Sequence, residues 1–252
     1  MTDKTGKIYF ASDLHLGTPD YFSSREREKI FVSWLDFIKC DATELYLLGD
    51  IFDFWFEYKS VIPKGYSRLL GKLAELSDAG IKIHIFKGNH DLWMRDYFTK
   101  EFNAEIYSQP IVKSYNGKTF YLAHGDGLGP GDIAYKMIKR IFSGRFNRFL
   151  FNWIHPDIGA LMAHYFSDSS RKKHLFNSDK FVIENEAMAI HSLKILEKQH
   201  IDYFIFGHRH VPVFHQLTPD STFVLLGDMF VNYSYAVFDG NELALKFFDK
   251  TV

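Results

Sequence analysis

Lys7-Ile8-Tyr9-Phe10-Ala11-Ser12-Asp13-Leu14-His15 and Leu45-Tyr46-Leu47-Leu48-Gly49-Asp50 share one design, a short apolar run that ends abruptly in acidic and imidazole side chains. The apolar parts, Lys7 to Ser12 and Leu45 to Leu48, predict buried strands. Between them, Ile30, Phe31, Trp34, Leu35 and Ile38 recur at helical spacing and predict a helix over Arg25 to Ile38. Outward along the chain, Tyr66 to Ala79 reads as a second helix closed by Gly80, and Ile81 to Phe86 as a third strand. This β-α-β-α-β alternation argues a layered α/β domain with its strands inside. Its strands end in Ser12-Asp13-Leu14-His15, Gly49-Asp50 and Gly88-Asn89-His90-Asp91, and a further strand over Thr119 to Ala123 ends in His124-Gly125-Asp126. Ligands and catalytic groups collect at such carboxyl ends.

From residue 131 the texture becomes helical: Asp132 to Ile141, Arg145 to Ile154, Pro156 to Ser167 and Lys180 to Lys198. Strand patterns return at Tyr203 to Phe206, Phe214 to Leu217, Phe223 to Leu226, Tyr233 to Phe238 and Leu243 to Phe248. The predicted organisation is one β-rich core, residues 1–130 and 199–252, interrupted by a helical cap insertion, residues 131–198.

Composition narrows the function. The 252 residues are 46% hydrophobic and 24% charged, a globular composition. No apolar run approaches the roughly 18 to 20 residues of a membrane span, and Met1 to Lys7 is polar, so the chain is expected in the cytoplasm. The single cysteine, Cys40, excludes a disulfide framework or a Cys-rich zinc module. Thirty basic against thirty-one acidic residues leave no general attraction for nucleic acid. Twelve histidines stand out.

Asp13-x-His15 and His208-x-His210 are i, i+2 pairs, and at a strand end such residues project to one side, so both pairs could grip one ion. Asp50 follows an apolar strand, where a carboxylate is costly to bury unless paired or coordinating, and its two oxygens could bridge two ions. Asn89 offers an amide oxygen and His124 an imidazole nitrogen for a second coordination sphere. Each fragment alone is more often a turn or helix cap than a ligand; together, each at a strand end, they predict a metal centre.

In order, Asp13-x-His15, Gly49-Asp50-x-x-Asp53, Gly88-Asn89-His90-Asp91, His124-Gly125-Asp126 and Gly207-His208-x-His210 resemble the five motifs of the calcineurin-like metallophosphoesterases, over roughly residues 8 to 210. The resemblance implies a four-layer αββα sandwich with a two-metal centre. It assigns one metal to Asp13, His15, Asp50 and His210 and the other to Asp50, Asn89, His124 and His208. Two cations roughly 3.5 to 4 Å apart polarise a phosphoryl oxygen and ready water for in-line attack. Imidazole and carboxylate ligation favours Mn, Fe or Zn over Ca, with manganese expected here. The resemblance places His90 on the substrate side, as proton donor or charge stabiliser, with Asp91 either orienting it or capping a helix. Asp53 and Asp126 are expected in turns or in support of the ligands.

A narrower resemblance is to the UDP-2,3-diacylglucosamine hydrolases of lipid A biosynthesis. It rests on Ala11-Ser12-Asp13-Leu14-His15-Leu16, Gly49-Asp50-Ile51-Phe52-Asp53-Phe54-Trp55, His124-Gly125-Asp126 followed by Asp132 and Tyr135, and the helical insertion. It implies release of UMP from a nucleotide-linked lipid sugar at the inner face of a bacterial membrane, with Asp132 and Tyr135 contacting substrate. The chain departs at His90, where the well-studied branch has arginine and phosphoesterases in general have histidine. In the insertion, Phe142, Phe146, Phe149, Leu150 and Trp153 form an apolar stripe if one helix runs through Gly144. Lys136, Lys139, Arg140, Arg145 and Arg148 are interleaved, and Arg171, Lys172 and Lys173 follow as candidate phosphate contacts. Such a mixture suits an anionic membrane surface or acyl chains beside phosphates; the alternative is that the stripe packs onto the protein's own core. The competing functions are a related enzyme with a soluble nucleotide or phosphodiester substrate and a non-catalytic metal-binding scaffold. His84, within an apolar strand, is expected to be a satisfied core histidine, and Gly227-Asp228 a turn.

Overall fold

A computed structural model describes residues 6–18, 21–129, 144–159, 161 and 182–249. The first sheet has six strands in the order β11-β10-β1-β2-β3-β4, with β1 at Lys7–Ala11, β2 at Ala42–Leu47, β3 at Lys82–Phe86, β4 at Glu105–Tyr107, β10 at Ser234–Phe238 and β11 at Leu243–Phe247. The second has five in the order β5-β6-β7-β9-β8, with β5 at Ile111–Tyr115, β6 at Lys118–Ala123, β7 at Tyr203–Phe206, β8 at Pro212–Thr218 and β9 at Ser221–Leu226. Strands β1 to β4 run parallel, as do β6, β7 and β9, while β10, β11, β5 and β8 add antiparallel edges.

Strand alternation builds the layers. Ile8, Phe10, Tyr46 and Leu48 point into an inter-sheet core with Phe120, Leu122, Ile205, Val224 and Leu226 of the second sheet. Their neighbours Tyr9, Ala11, Leu45 and Leu47 point the other way, against Phe31, Trp34, Leu35 and Ile38 of α1 (Tyr21–Ile38) and Leu69, Leu73 and Leu76 of α2 (Ser67–Asp78). Gly80, at φ 84°, follows α2 as the sequence predicts. The short helix α3 (Tyr97–Phe102) seats Phe98 and Phe102 in the same outer core. The fold is therefore the predicted four-layer αββα sandwich.

The helical insertion differs from expectation at its end. Predicted helix Lys180 to Lys198 is a 3₁₀ turn, Ile183–Asn185, followed by a helix over Ala187–Leu196. That helix buries Met188 and Ala189 against Tyr121, Phe204, Phe206 and Phe223, so it is the outer layer of the second sheet, because that apolar sheet face must be covered. Of the remaining insertion, α4 (Arg145–Phe151) is described: it starts where the predicted helix Arg145 to Ile154 starts and ends sooner, and Gly144 lies outside it, so the condition of one helix running through Gly144 is not met; Asp132 to Ile141 lies outside the described residues. With α4 numbered, Ala187–Leu196 is α5.

Candidate metal centre

All five motifs meet at one edge of the sandwich. Asp13 and His15 follow β1, Asp50 follows β2, Gly88 to Asp91 follow β3, His124 follows β6 and His208 and His210 follow β7, so both sheets deliver ligands to one place. Convergence comes from the backbone beyond the strands. Asp13, His15, Asp50, His208 and His210 have φ of 55°, 46°, 52°, 70° and 54°, and they are five of nine non-glycine residues in the left-handed region among those described. The i, i+2 pairs thus converge through left-handed turns, and extended-strand alternation, which the spacing suggested, is not the cause. Such backbone costs about 1 kcal/mol or more per residue and persists only where surrounding contacts fix it. Those contacts are present: Asp13 N donates to Gly49 O, and Leu14 N and His15 N both donate to Asp50 O.

The donor atoms of the predicted ligands form two groups, and a third cluster, His15, Asp53 and His90, shares His15 with the first. Asp13, His15 and His210 offer ligand atoms within 4.8 Å of one another, as do Asp50, His124 and His208. Asp50 Oδ2 lies between them, 3.7 Å from His15 Nε2 and 3.4 Å from His124 Nε2, the position a bridging carboxylate requires. Asn89 joins the second group, its Oδ1 3.2 Å from His124 Nε2. All seven predicted ligands are therefore brought together.

The arrangement fits a pair of cations. His124 Nδ1 donates to Leu48 O at 2.7 Å, which leaves Nε2 as an acceptor facing two more acceptors, Asn89 Oδ1 and Asp50 Oδ2. Asp13 Oδ1 is buried without a hydrogen-bond partner, yet lies 3.2 Å from His210 Nε2. Lone pairs aimed at one another need a proton or a metal between them. The charges agree. Burial pulls the His15 imidazole down, but contacts with Asp13 and Asp53 and the charge of Asp50 outweigh it and raise it to about 10. Burial likewise opposes, and Asp50 and Asp13 win, at His124, also raised to about 10. His208, buried and beside His124, is pushed down to about 3. The carboxylates thus collect positive charge that metal ions would supply.

His90 points its Nδ1 at Asp53, 3.2 Å from the carbonyl oxygen and 3.5 Å from Oδ1, while its ring meets His15 edge-on at 4.7 Å. Asp53 also lies 3.6 Å from His15 Nδ1, so it supports both imidazoles. Asp91 neither orients His90 nor caps a helix: it accepts from Gly88 N at 2.7 Å and Ile51 N at 2.9 Å and ties the second and third motifs together. Burial and the nearby charge of Asp50 raise it to about 7. Sequence reasoning missed Ser12, whose hydroxyl donates to Asp13 Oδ2; its place beside a motif carboxylate is the only sequence signal for that role.

Away from the centre, His84 is the predicted core histidine, 2.9 Å from Glu44 Oε2 and stacked on Tyr46 at 4.1 Å. Asp132, Tyr135, Arg171, Lys172 and Lys173 lie outside the described residues, as does Phe142. The other members of the apolar stripe, Phe146, Phe149, Leu150 and Trp153, are 71%, 56%, 49% and 79% exposed. Phe151, outside that stripe, anchors α4 instead, with its ring 4.6 Å from both Phe56 and Trp93. No helix among the described residues is long and apolar enough to cross a membrane.

The calcineurin-like phosphoesterase profile matches residues 6–212. The chain is 39% identical over 95% of its length, and 97% of the relative's, to a protein of Porphyromonas gingivalis named UDP-2,3-diacylglucosamine hydrolase. A Haemophilus influenzae protein of that name is 28% identical over 90% of this chain and 92% of its own. Among solved structures, a dimetal phosphatase of Danio rerio is similar at a TM-score of 0.47 and 12% identity, covering 96% of this chain and 95% of that one.

Proposed function

Because the chain belongs to the calcineurin-like phosphoesterases and is a metal-dependent hydrolase, we propose that it hydrolyses the pyrophosphate bond of UDP-2,3-diacylglucosamine, releasing UMP and 2,3-diacylglucosamine 1-phosphate. The observation that carries the substrate is the near full-length 39% identity to a hydrolase of that name. In this reading Asp13, His15, Asp50 and His210 hold one divalent ion, and Asp50, Asn89, His124 and His208 the other. Manganese is the ion we assign. Ions held there supply Lewis acidity toward phosphoryl oxygens and lower the pKa of water to near neutrality.

The chain's own groups do the rest. Asp53 engages His90 Nδ1 and thereby presents Nε2 to the substrate. Burial lowers the His90 imidazole, so the ring takes a proton most readily when an anionic phosphate is beside it and can then pass that proton to the leaving oxygen. Asp132, Tyr135, Arg171, Lys172 and Lys173 are assigned to substrate contact, within a cap formed by the part of the insertion 131–198 that precedes the sheet-covering helix Ala187–Leu196. The exposed Phe146, Phe149, Leu150 and Trp153 support contact with acyl chains or with the cytoplasmic face of the inner membrane, since a patch of large aromatic groups in water is a binding surface more often than a neutral one.

The test is direct. Protein loaded with Mn²⁺ and given the diacylated nucleotide sugar in detergent should yield UMP. A UDP-sugar without acyl chains should be a far poorer substrate. Equal turnover of both, or no UMP from the first, defeats the assignment and favours a soluble nucleotide substrate.

A further inference from the structure

We propose that the turn from Gly227 to Tyr233, together with Arg27 of α1, is a clamp that positions the Asp13, His15 and His210 ligand group and sets the affinity of the ion it holds. The inference rests on the two-ion reading above and extends it to residues outside every motif; the turn lies beyond the family match, which ends at residue 212.

Each of the three ligands sits in the left-handed region, and each has its own carbonyl oxygen held from this direction. Met229 N donates to Asp13 O at 3.2 Å. Arg27 Nη2 donates to His15 O at 3.1 Å. Asn232 Nδ2 donates to His210 O at 3.0 Å. A carbonyl so held resists rotation of its peptide plane, which restrains ψ of the ligand and with it the placement of the Cβ from which the side chain reaches out. Phe230 completes the device: its ring meets His210 edge-on at 5.3 Å and His15 at 6.0 Å, and the Arg27 guanidinium lies over its face at 5.6 Å.

Asp228 makes the turn rigid. It is buried, its Oδ1 accepts from Phe230 N, Val231 N and Asn232 N at 3.0, 2.6 and 2.9 Å, and its Oδ2 accepts from Asn232 Nδ2 at 2.6 Å. The Asn232 amide therefore spends one N–H on building the turn and the other on the metal ligand's backbone. In the second group the carbonyls are held from within the motifs: Asp50 O accepts from Leu14 N and His15 N, and His124 O accepts from Gly207 N at 2.9 Å. The turn and Arg27 thus act on the first group, whereas Asp50 and His124 are held by the motifs themselves.

The experiment is titration of chelator-stripped full-length protein with Mn²⁺ alone, followed by calorimetry and by the electron paramagnetic resonance of the bound ions. Wild type should take two ions. Asn232→Leu and Arg27→Met should each weaken one ion by about 10- to 100-fold, the range for groups that orient a ligand, with the other ion unchanged and the spin-coupled pair signal lost at limiting metal. Arg27→Lys should recover part of the affinity. Ser221→Ala, which removes a buried hydrogen bond to Ile201 O away from the centre, should leave both ions as in wild type and controls for a general loss of stability. If Asn232→Leu fails to fold, Arg27→Met and Phe230→Leu carry the test. Unchanged binding in these variants, or equal weakening of both ions, overturns the clamp; wild type that takes no Mn²⁺ overturns the two-ion reading beneath it.

Discussion

The two ligand groups lie side by side, yet the chain holds them by different means. Asp13, His15 and His210 are fixed from outside by hydrogen bonds and a ring, delivered by α1 and by a turn near the end of the chain. Asp50 and His124 are held by backbone bonds within the motifs and by close approach at two glycines: a Cβ on Gly49, at φ 91°, would stand 2.5 Å from His124 Nδ1 and 2.9 Å from Gly88 Cα, and one on Gly88 would stand 2.5 Å from Asp50 N, while the first group has one such glycine, Gly207, whose Cβ would stand 2.6 Å from Asp13 Oδ2. The contrast teaches that one centre can draw its precision from two sources. Held carbonyls can be loosened a bond at a time, whereas close backbone approach is lost at the first added methyl.

The largest expected effect erases the contrast. Asp50→Asn removes the carboxylate both groups share and should lose both ions, with turnover falling by about 10³-fold or more if the metals contribute several kcal/mol to the barrier; metal content per protein after desalting checks it. Retention of two ions would mean Asp50 does not bridge.

A smaller effect sharpens it. Gly49→Ala should displace His124 and weaken the ion of the second group by about 100-fold, while the ion at Asp13, His15 and His210 binds as before, measured by the same Mn²⁺ titration. Equal loss at both would show that the two groups are one rigid body.

The smallest comes from a cluster belonging to neither group and separates acid unfolding from loss of ions. Burial would raise the Glu44 carboxyl, but hydrogen bonds from His84 and Tyr115 outweigh it and hold it below its usual value. A depressed carboxyl stabilises the fold above its unfolded pKa, and that contribution disappears as pH falls through the folded one. Glu44→Gln should therefore show a shallower decline of unfolding temperature between about pH 5 and pH 3 than wild type, with Mn²⁺ binding at neutral pH unaffected. An identical decline would remove Glu44 from the acid response.

Much of the fold was legible because its strands and helices announce themselves locally. The runs at Lys7, Leu45, Ile81 and Tyr203 are apolar and short, and α1 and α2 carry helical spacing. The helix Tyr97–Phe102 and the strands Glu105–Tyr107 and Ile111–Tyr115 were not, since six and three residues are too few to establish a period and the last strand carries Lys113 and Ser114 where the legible strands are apolar. The candidate ligands were legible as residue types after strands. Their supporting contacts were not, because Asp91 meets Ile51 across 40 positions and Asn232 meets His210 across 22, distances that leave no local pattern.

The order of motifs, the alternation of strand and helix and the set of candidate ligands were determined by sequence alone, since each rests on chemistry or periodicity within a few residues. Tertiary structure decided that Ala187–Leu196 covers the second sheet, that Asp91 joins two loops, and that the turn opened by Gly227-Asp228 brings Met229 and Asn232 to the backbone of the candidate ligands Asp13 and His210. The physical reason is one of range. Hydrogen bonds and steric exclusion act over a few ångströms in space, and which distant residues come within that reach is settled only when the layers pack.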